Sequence, residues 1–275
     1  MLAELTIKLK MEAGDRLGYY QASRLQGVLM SKIDTDYASV LHQQGLNPYS
    51  QCVLKSNDGS PEWHIRTLDK DAYENIILPM MRIDFNEFQL ERRDKTQKIQ
   101  ILQKSVRTIE DKTLLEDFYS DDHNKEITIE FQSPTAFKVN GRYWTLPEPR
   151  LIFQSLMNKY SSSSENMDMF DEETLGQIVE RCSIGKFRLK SASFPLESVW
   201  IPSFEGNMAI RVQGNATLAR YVRLLCRFGE FSGVGIKTAM GMGAMKILSD
   251  REDRETRETE AHISDRREEA AHDRP

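Results

Sequence analysis

The chain has 275 residues and a net charge of −5, and its 39% hydrophobic and 29% charged residues predict a soluble, folded protein of one large or two small domains. No apolar segment approaches the roughly 20 residues needed to span a bilayer, and no basic start is followed by an apolar run, which argues against a membrane anchor and a secretory signal. The three cysteines, Cys52, Cys182 and Cys226, are far apart and form no CxxC pair, which favours reduced thiols in the cytoplasm over disulfides or structural zinc.

The first half of the chain predicts the order strand, helix, strand, strand, helix, strand. Residues 2–11 alternate between apolar and polar side chains, as in a half-buried strand. Residues 19–33 have helical spacing, and residues 36–44 predict a second short helix with Asp34 or Thr35 as its N-cap. The remaining patterns predict strands at 49–56, 62–68, 81–90 and 98–109 and a helix at 70–80.

The second half repeats this order without obvious identity to the first. Residues 126–131 alternate like a strand, which we expect the Ser133-Pro134-Thr135 segment to end. Asn215 predicts the cap of a helix that Gly229 terminates. The other predicted elements are helices at 150–159 and 171–182 and strands at 185–194, 207–213 and 244–248.

Both halves therefore have the element order of a ferredoxin-like domain. The predicted fold class is α+β, with two tandem ferredoxin-like (RRM-like) domains built on antiparallel sheets. We place these domains at residues 1–112 and 124–249. The segment 250–275 is almost wholly charged and has almost no apolar face to bury, so it is predicted to be a disordered tail.

Charge is distributed unevenly along the chain. Residues 250–275 hold ten acidic and six basic residues, whereas residues 185–246 hold nine basic and three acidic ones. A negative total therefore does not exclude nucleic acid as a partner, because the distribution matters more than the sum.

A glycine-rich segment near the end of the chain is the densest candidate for a binding site. Residues 229–246 contain two Gly-x-Gly pairs, which flank a central Lys237. Glycines let a backbone approach a ligand closely, and a lysine adds a point charge for a phosphate. A tight loop that needs positive φ angles explains the glycines equally well. The four glycines are Gly233, Gly235, Gly241 and Gly243.

This segment resembles the C-terminal glycine-rich motif of the RAMP superfamily of CRISPR-associated proteins, in particular the endoribonucleases that cut CRISPR precursor RNA within its repeats. Three further stretches resemble the same family, and all four occur in the family's order. They are Leu25-Gln26-Gly27, the segment from Leu41-His42 through Gly45 to Pro48-Tyr49-Ser50, and Phe131-Gln132-Ser133-Pro134-Thr135-Ala136-Phe137.

The resemblance implies a metal-independent ribonuclease that needs no cofactor, in which an RNA 2′-hydroxyl attacks the adjacent phosphorus. His42 would be the general acid or base, since histidine exchanges protons near neutral pH. Tyr49 is the first candidate for its partner and Tyr37 a weaker one, although either could be an ordinary core tyrosine. The chain departs from some relatives, which carry a tyrosine at the place of Met30 and a lysine soon after the histidine.

RNA binding is assigned to the second domain. Lys237 and the four loop glycines would meet phosphates or bases. Lys186, Arg188 and Lys190 recur every second residue, so they share one face of a strand, which either tracks a phosphate backbone or is simply solvated. Trp144 and Trp200 could stack on bases, although tryptophan is more often packed in a core.

The expected partner is CRISPR repeat RNA, as precursor and as mature guide. The resemblance also allows membership of a CRISPR effector complex and a homodimer, and no membrane contact is expected. One alternative is a protein of the same fold that holds guide RNA without cutting it. The other is a nucleotide-binding enzyme that uses the glycine segment as a phosphate cradle, although the segment lacks the Gly-Lys-Ser/Thr ending of a P-loop.

Overall fold

The computed structural model describes most of the chain, and every structural statement below concerns those residues. They are 1–12, 14–43, 45–92, 95–110, 113–114, 125–164, 170–196 and 199–248. The strands are β1 (Leu2–Met11), β2 (Tyr49–Lys55), β3 (Pro61–Thr67), β4 (Glu87–Arg92), β5 (Lys95–Ile109), β6 (Glu126–Thr135), β7 (Phe137–Val139), β8 (Arg142–Trp144), β9 (Cys182–Leu196), β10 (Val199–Val212) and β11 (Met245–Leu248).

The helices lie between these strands. The third begins as an α-helix, widens to a π-helical turn at Tyr73–Ile77 and returns to α-helix. The helices are α1 (Ala22–Met30), α2 (Thr35–Gln43), α3 (Lys70–Ala72, Tyr73–Ile77 and Leu78–Met81), α4 (Pro149–Ser163), α5 (Glu172–Arg181) and α6 (Ala216–Ser232).

The first sheet contains five antiparallel strands in the order β2-β3-β1-β5-β4. Its central strand buries Leu5, Ile7 and Leu9, whereas Glu4 and Thr6 alternate with them and face the other side. The buried row packs in one cluster with Leu25 and Leu29 of α1. Strand β4 adds an edge to the four-strand ferredoxin-like order.

The second sheet has the order β11-β6-β10-β9 and is also antiparallel. Strand β6 buries Ile127, Ile129 and Phe131 against α4 and α6. Strands β7 and β8 form a separate two-stranded ribbon. Its turn, Asn140-Gly141, has positive φ at both residues, as two-residue hairpins require.

These sheets confirm the predicted α+β fold with tandem ferredoxin-like domains. The first sheet lies within the predicted range 1–112 and the second within 124–249. The predicted tail, 250–275, and most of the segment between the domains lie outside the described residues. In the described part of the chain, no helix is long and apolar enough to cross a membrane.

Four sequence predictions about element ends were wrong. The strand predicted at 81–90 is β4, which begins only at Glu87. Helix α6 does not stop at Gly229 but continues to Ser232, and Gly233, with a φ of +63°, follows its last residue. Gly229 instead leaves room for strand β11, since a Cβ there would lie 2.6 Å from Met245 Sδ. Strand β10 begins at Val199 rather than near residue 207. Strand β6 runs through the Ser-Pro-Thr segment to Thr135.

The two domains share apolar surface. Phe194 and Ile201, from the far end of the β9–β10 hairpin, belong to the core of the first domain. In return, Leu2 and Leu68 belong to the core of the second. The junction between the domains is therefore continuous with both cores.

Candidate active site and nucleic-acid interface

His42 lies in the last turn of α2 and is exposed to solvent. The helix begins where the Asp34 carboxylate accepts hydrogen bonds from the backbone N–H groups of Asp36 at 2.9 Å and Tyr37 at 3.1 Å. Asp34 is therefore the N-cap, one of the two predicted residues. Leu41 anchors the helix to the core, and the adjacent His42 points away from it.

Tyr37 lies on the buried side of the same helix. Its hydroxyl oxygen is buried, and its side chain packs against the core of the first domain. Burial, together with the carboxylates of Asp71 and Asp69, raises the pKa of Tyr37 well above its usual range. This setting keeps the phenol protonated and does not favour direct contact with RNA.

Tyr49, the first predicted partner of His42, is a core residue at the start of β2. Its side chain is 1% exposed, and its hydroxyl accepts a hydrogen bond from Gln26 Nε2 at 3.1 Å. Burial raises the pKa of Tyr49 to about 12. No surface of the Tyr49 ring is open to a ligand, so a role as the partner of His42 would have to be exerted from within the core, and that role stays a prediction.

The glycine segment is a tightly packed loop rather than an open cradle. All four glycines have positive φ, from +63° at Gly233 to +110° at Gly241. A Cβ on Gly243 would lie 2.0 Å from the Val234 carbonyl oxygen, and one on Gly235 would lie 2.3 Å from that of Ala136. Gly233, Gly241 and Gly243 are buried, so the predicted direct RNA contacts of these three are not supported.

The loop joins the two domains. A Cβ on Gly241 would lie 2.2 Å from Ala22 Cβ, in the first helix of the first domain. Gln51 Nε2 donates to the carbonyl oxygens of both Ala22 and Ala239 at 3.0 Å, which links helix and loop across the junction. Lys237 alone among the predicted RNA-binding residues of the loop is exposed, and it adopts a left-handed φ of +57° at the tip.

A buried lysine that the sequence motifs did not identify lies beneath this loop and donates hydrogen bonds to it. Lys159 of α4 is 5% exposed, and its ammonium donates to the carbonyl oxygen of Gly233 at 3.1 Å and to the Thr238 hydroxyl at 3.2 Å. Burial lowers its pKa to about 7. Helical periodicity was the available signal, since Ile152, Leu156 and Lys159 recur at the spacing of one buried face.

The predicted basic row lies on β9 as expected. Lys186, Arg188 and Lys190 are all exposed. Lys190 Nζ lies 3.2 Å from a carboxylate oxygen of Glu205 on the neighbouring strand, so these two residues form a salt bridge. The row offers positive charge along the strand direction, and its use by RNA remains a prediction.

A second buried polar cluster lies on the first sheet, where α6 packs against it. Glu4 accepts from Arg66 Nε at 2.7 Å and from Arg107 at 2.9 Å, and His64 Nδ1 lies 3.2 Å away. Burial opposes ionisation of Glu4, but the hydrogen bonds and charges of His64 and Arg66 hold its pKa well below the usual range. The Arg107 guanidinium lies 5.1 Å from the centre of the Phe231 ring of α6. The cluster therefore belongs to the domain junction.

The fold resembles that of several solved RAMP and Cas6 structures. A Cas6 (TTHB231) product complex matches with a TM-score of 0.71 at 22% identity, covering 90% of this chain and all of the other. Thermus thermophilus Cas6 (TTHB231) gives 0.69 at 21%, over 90% of this chain and 98% of that one. A RAMP protein described as binding different RNA substrates gives 0.61 at 13%, over 90% and 100%. The fold class is accordingly that of the RAMP proteins.

Sequence comparison narrows this class. The sequence model of the family described as CRISPR-associated endoribonuclease Cas6 matches residues 129–245. The protein of that name from Streptococcus thermophilus is 36% identical over 226 residues, which cover 82% of this chain and 90% of the relative. The one from Mycobacterium tuberculosis is 35% identical over 248 residues, 90% of this chain and 78% of the relative. The chain belongs to the CRISPR-associated endoribonuclease Cas6 family.

Proposed function

We propose that this chain is an endoribonuclease that binds CRISPR repeat RNA in precursor transcripts and cuts it to produce guide RNAs. The observation that carries the proposal is the 36% identity to a CRISPR-associated endoribonuclease over 82% of the chain. The exposed His42 supports it from the structure, because a residue that moves protons to or from RNA must be reachable.

In the proposed reaction no metal takes part. The RNA 2′-oxygen forms a bond to the adjacent phosphorus while the bond from phosphorus to the 5′-oxygen breaks. The 2′-hydroxyl loses a proton and the leaving 5′-oxygen gains one, so the products are a 2′,3′-cyclic phosphate and a 5′-hydroxyl. His42 either removes the first proton or supplies the second, and it must be held in line with the reacting phosphate.

Of the three predicted catalytic residues, His42 is the only one whose side chain lies exposed in the structure. Tyr49 and Tyr37 would support the site from the core. The Tyr49 hydroxyl accepts a hydrogen bond from Gln26 of α1, and Tyr37 packs α2 against the core of the first domain. Lys237 and the β9 row would hold RNA phosphates, because a lysine or arginine that meets a phosphate releases a counterion and adds affinity.

The test is single-turnover cleavage of end-labelled cognate CRISPR repeat RNA in buffer containing EDTA. We expect wild type to cut at one position and leave a cyclic phosphate. His42→Ala should lose about 100- to 10,000-fold in rate while its dissociation constant for the RNA stays unchanged, as for a lost general acid or base.

The matched control is His64→Gln, which changes a histidine in the polar cluster of the first sheet and can retain a hydrogen bond to Glu4. This variant should cut like wild type. Cutting that survives in His42→Ala would move the chemistry to another residue. Tight binding without any cutting by wild type would instead favour a protein that holds guide RNA in an effector complex.

A further inference from the structure

Two of the three tryptophans lie at the surface. Trp63 is fully buried, at 0% exposure, whereas Trp144 is 41% exposed and Trp200 is 67% exposed. A large aromatic side chain normally contributes most when it is buried, so two exposed indoles in one domain need an explanation.

The strand pairing places both indoles on neighbouring elements of the second domain. Trp144 lies directly opposite Phe137 in the β7–β8 ribbon. The Phe137 ring stacks on Phe204 of β10, with 6.3 Å between ring centres. Trp200 is four residues from Phe204 on the same strand and therefore shares its face. Strand β8 lies against β10, so the two indoles come from neighbouring strands.

The exposed tip of the glycine loop adjoins the same ribbon. Ile236, next to Lys237, donates its backbone N–H to the carbonyl oxygen of Ala136 at 3.0 Å. Ala136 immediately precedes β7, and Gly235 packs against its carbonyl oxygen. The loop tip and the aromatic ribbon thus form one surface.

The charge around this surface is positive. The segment 137–146 contains Lys138 and Arg142 and no acidic residue, and the tip of the glycine loop adds Lys237. Lys138 and Arg142 are exposed. Exposed aromatic rings beside cations match the chemistry of unpaired nucleic acid, which offers base faces and phosphates together.

We propose that Trp144 and Trp200 form a stacking site for unpaired bases of the bound RNA, with Lys237 contacting a phosphate nearby. This inference rests on the proposed function, and it adds a place where single-stranded nucleotides are held. Every base has a flat face, so such a site contributes affinity without demanding a particular sequence.

The first experiment measures the dissociation constant of fluorescently labelled repeat RNA for Trp144→Ala, Trp200→Ala and the corresponding Trp→Phe variants. Each alanine variant should bind about 5- to 150-fold more weakly, as expected for loss of one stacked base, and each phenylalanine variant should recover most of the affinity. Tyr143→Ala is the matched control, because Tyr143 is equally exposed but neighbours Trp144 on the opposite face of the ribbon.

The second measurement follows tryptophan emission directly. In Trp200→Phe the remaining indoles are Trp144 and the buried Trp63, so quenching by added RNA reports on Trp144; Trp144→Phe reports on Trp200 in the same way. Stacking involves no ion release, so the slope of log affinity against log salt should be unchanged in the tryptophan variants, whereas Lys237→Ala should lower it by about one.

These outcomes separate the inference from the proposed function. Failure of wild type to bind repeat RNA at all would overturn the proposed function. Normal binding and cutting by wild type, with unchanged affinity in the alanine variants and no quenching in the phenylalanine variants, would overturn the stacking site alone. Unchanged RNA affinity with a loss of self-association by size-exclusion chromatography would assign the indoles to a protein contact and also overturn it.

Discussion

Most of the glycine loop is buried between the two domains, whereas the basic row on β9 lies open to solvent. In the loop, Gly243 packs against the carbonyl oxygen of Val234, on the other side of the loop, and Gly235 packs against that of Ala136, which is far away in the sequence. On β9, Lys186 and Arg188 extend from the edge strand of the sheet, which pairs with β10 on one side. The loop is therefore a structural joint, and the row is an exposed surface.

The difference shows that glycines and cations serve separate purposes in this domain. Glycine allows backbone to pack on backbone, which fixes the junction, while charged side chains remain available to a polyanion. Lys237 combines the two roles, because the tightly packed loop fixes its backbone while its charged side chain is exposed at the tip. The predictions below test this division, beginning with the largest expected effect.

Gly243→Ala should strongly destabilise the protein. The new Cβ would lie 2.0 Å from the Val234 carbonyl oxygen at a residue with φ of +70°, so the loop backbone must move. We expect a loss of about 3 to 5 kcal/mol in the free energy of unfolding, or about 10 °C in Tm, measured by thermal denaturation.

Gly59→Ala is the control for that experiment, because Gly59 has a similar φ of +80° but no atom within 4 Å of the added Cβ. It isolates the cost of the left-handed backbone, about 1 to 2 kcal/mol. Equal destabilisation by the two substitutions would show that Gly243 is needed only for its positive φ and not for close packing in the loop.

Lys159→Met should change how stability depends on pH. The pKa of Lys159 is about 7 in the folded protein and 10.5 ordinarily, so the unfolded chain binds more protons between these values. Wild type should therefore gain stability as pH rises through this window. The free-energy cost of burying a charged Lys159 is greatest below about pH 7, where the lysine is protonated in the folded protein. Between pH 7 and pH 9 the gain relative to the methionine variant should be about 2 kcal/mol by denaturant titration.

The same substitution at Lys55, which is exposed, should leave the pH dependence of wild type unchanged. A Lys159→Met variant whose stability runs parallel to that of wild type from pH 7 to pH 9 would mean that Lys159 keeps its charge under the loop. The hydrogen bonds to Gly233 and Thr238 would then compensate fully for its burial.

Alanine substitutions in the basic row should have the smallest effects, and these should depend on salt. Lys186→Ala and Arg188→Ala should each lower the slope of log affinity against log salt by about one, with a severalfold loss of RNA affinity. Lys190→Ala should do less, because Glu205 already lies 3.2 Å from its ammonium.

Lys98→Ala provides the comparison from the other domain, since this lysine is paired with Glu87 at 2.9 Å on the edge of the first sheet. It should leave the slope unaltered. A basic row whose removal changes neither the slope nor the affinity would be an ordinary solvated strand face, and RNA would have to bind elsewhere.

Much of the fold could be predicted from local pattern. Alternation in β1 and β6 identified the central strands, and Asp34 and Asn215 cap helices by accepting backbone hydrogen bonds a few residues away. These features depend on neighbours in sequence. The end of α6 could not be predicted in this way, because Gly229 lies within the helix, where its lack of a side chain leaves room for Met245 of β11.

The sequence by itself determined the two ferredoxin-like halves, the family and the exposed cations, since periodicity, motif and charge are properties of short segments. Only the tertiary structure decided which candidates a ligand can reach. Tyr49 is buried in the core, where its hydroxyl is hydrogen-bonded to Gln26. The loop glycines are covered by neighbouring residues: Gly241 by Ala22, Gly243 by Val234, and Gly233 by the carbonyl oxygen of Gly243. Burial depends on contacts between residues that are far apart in the chain, and no local pattern contains that information.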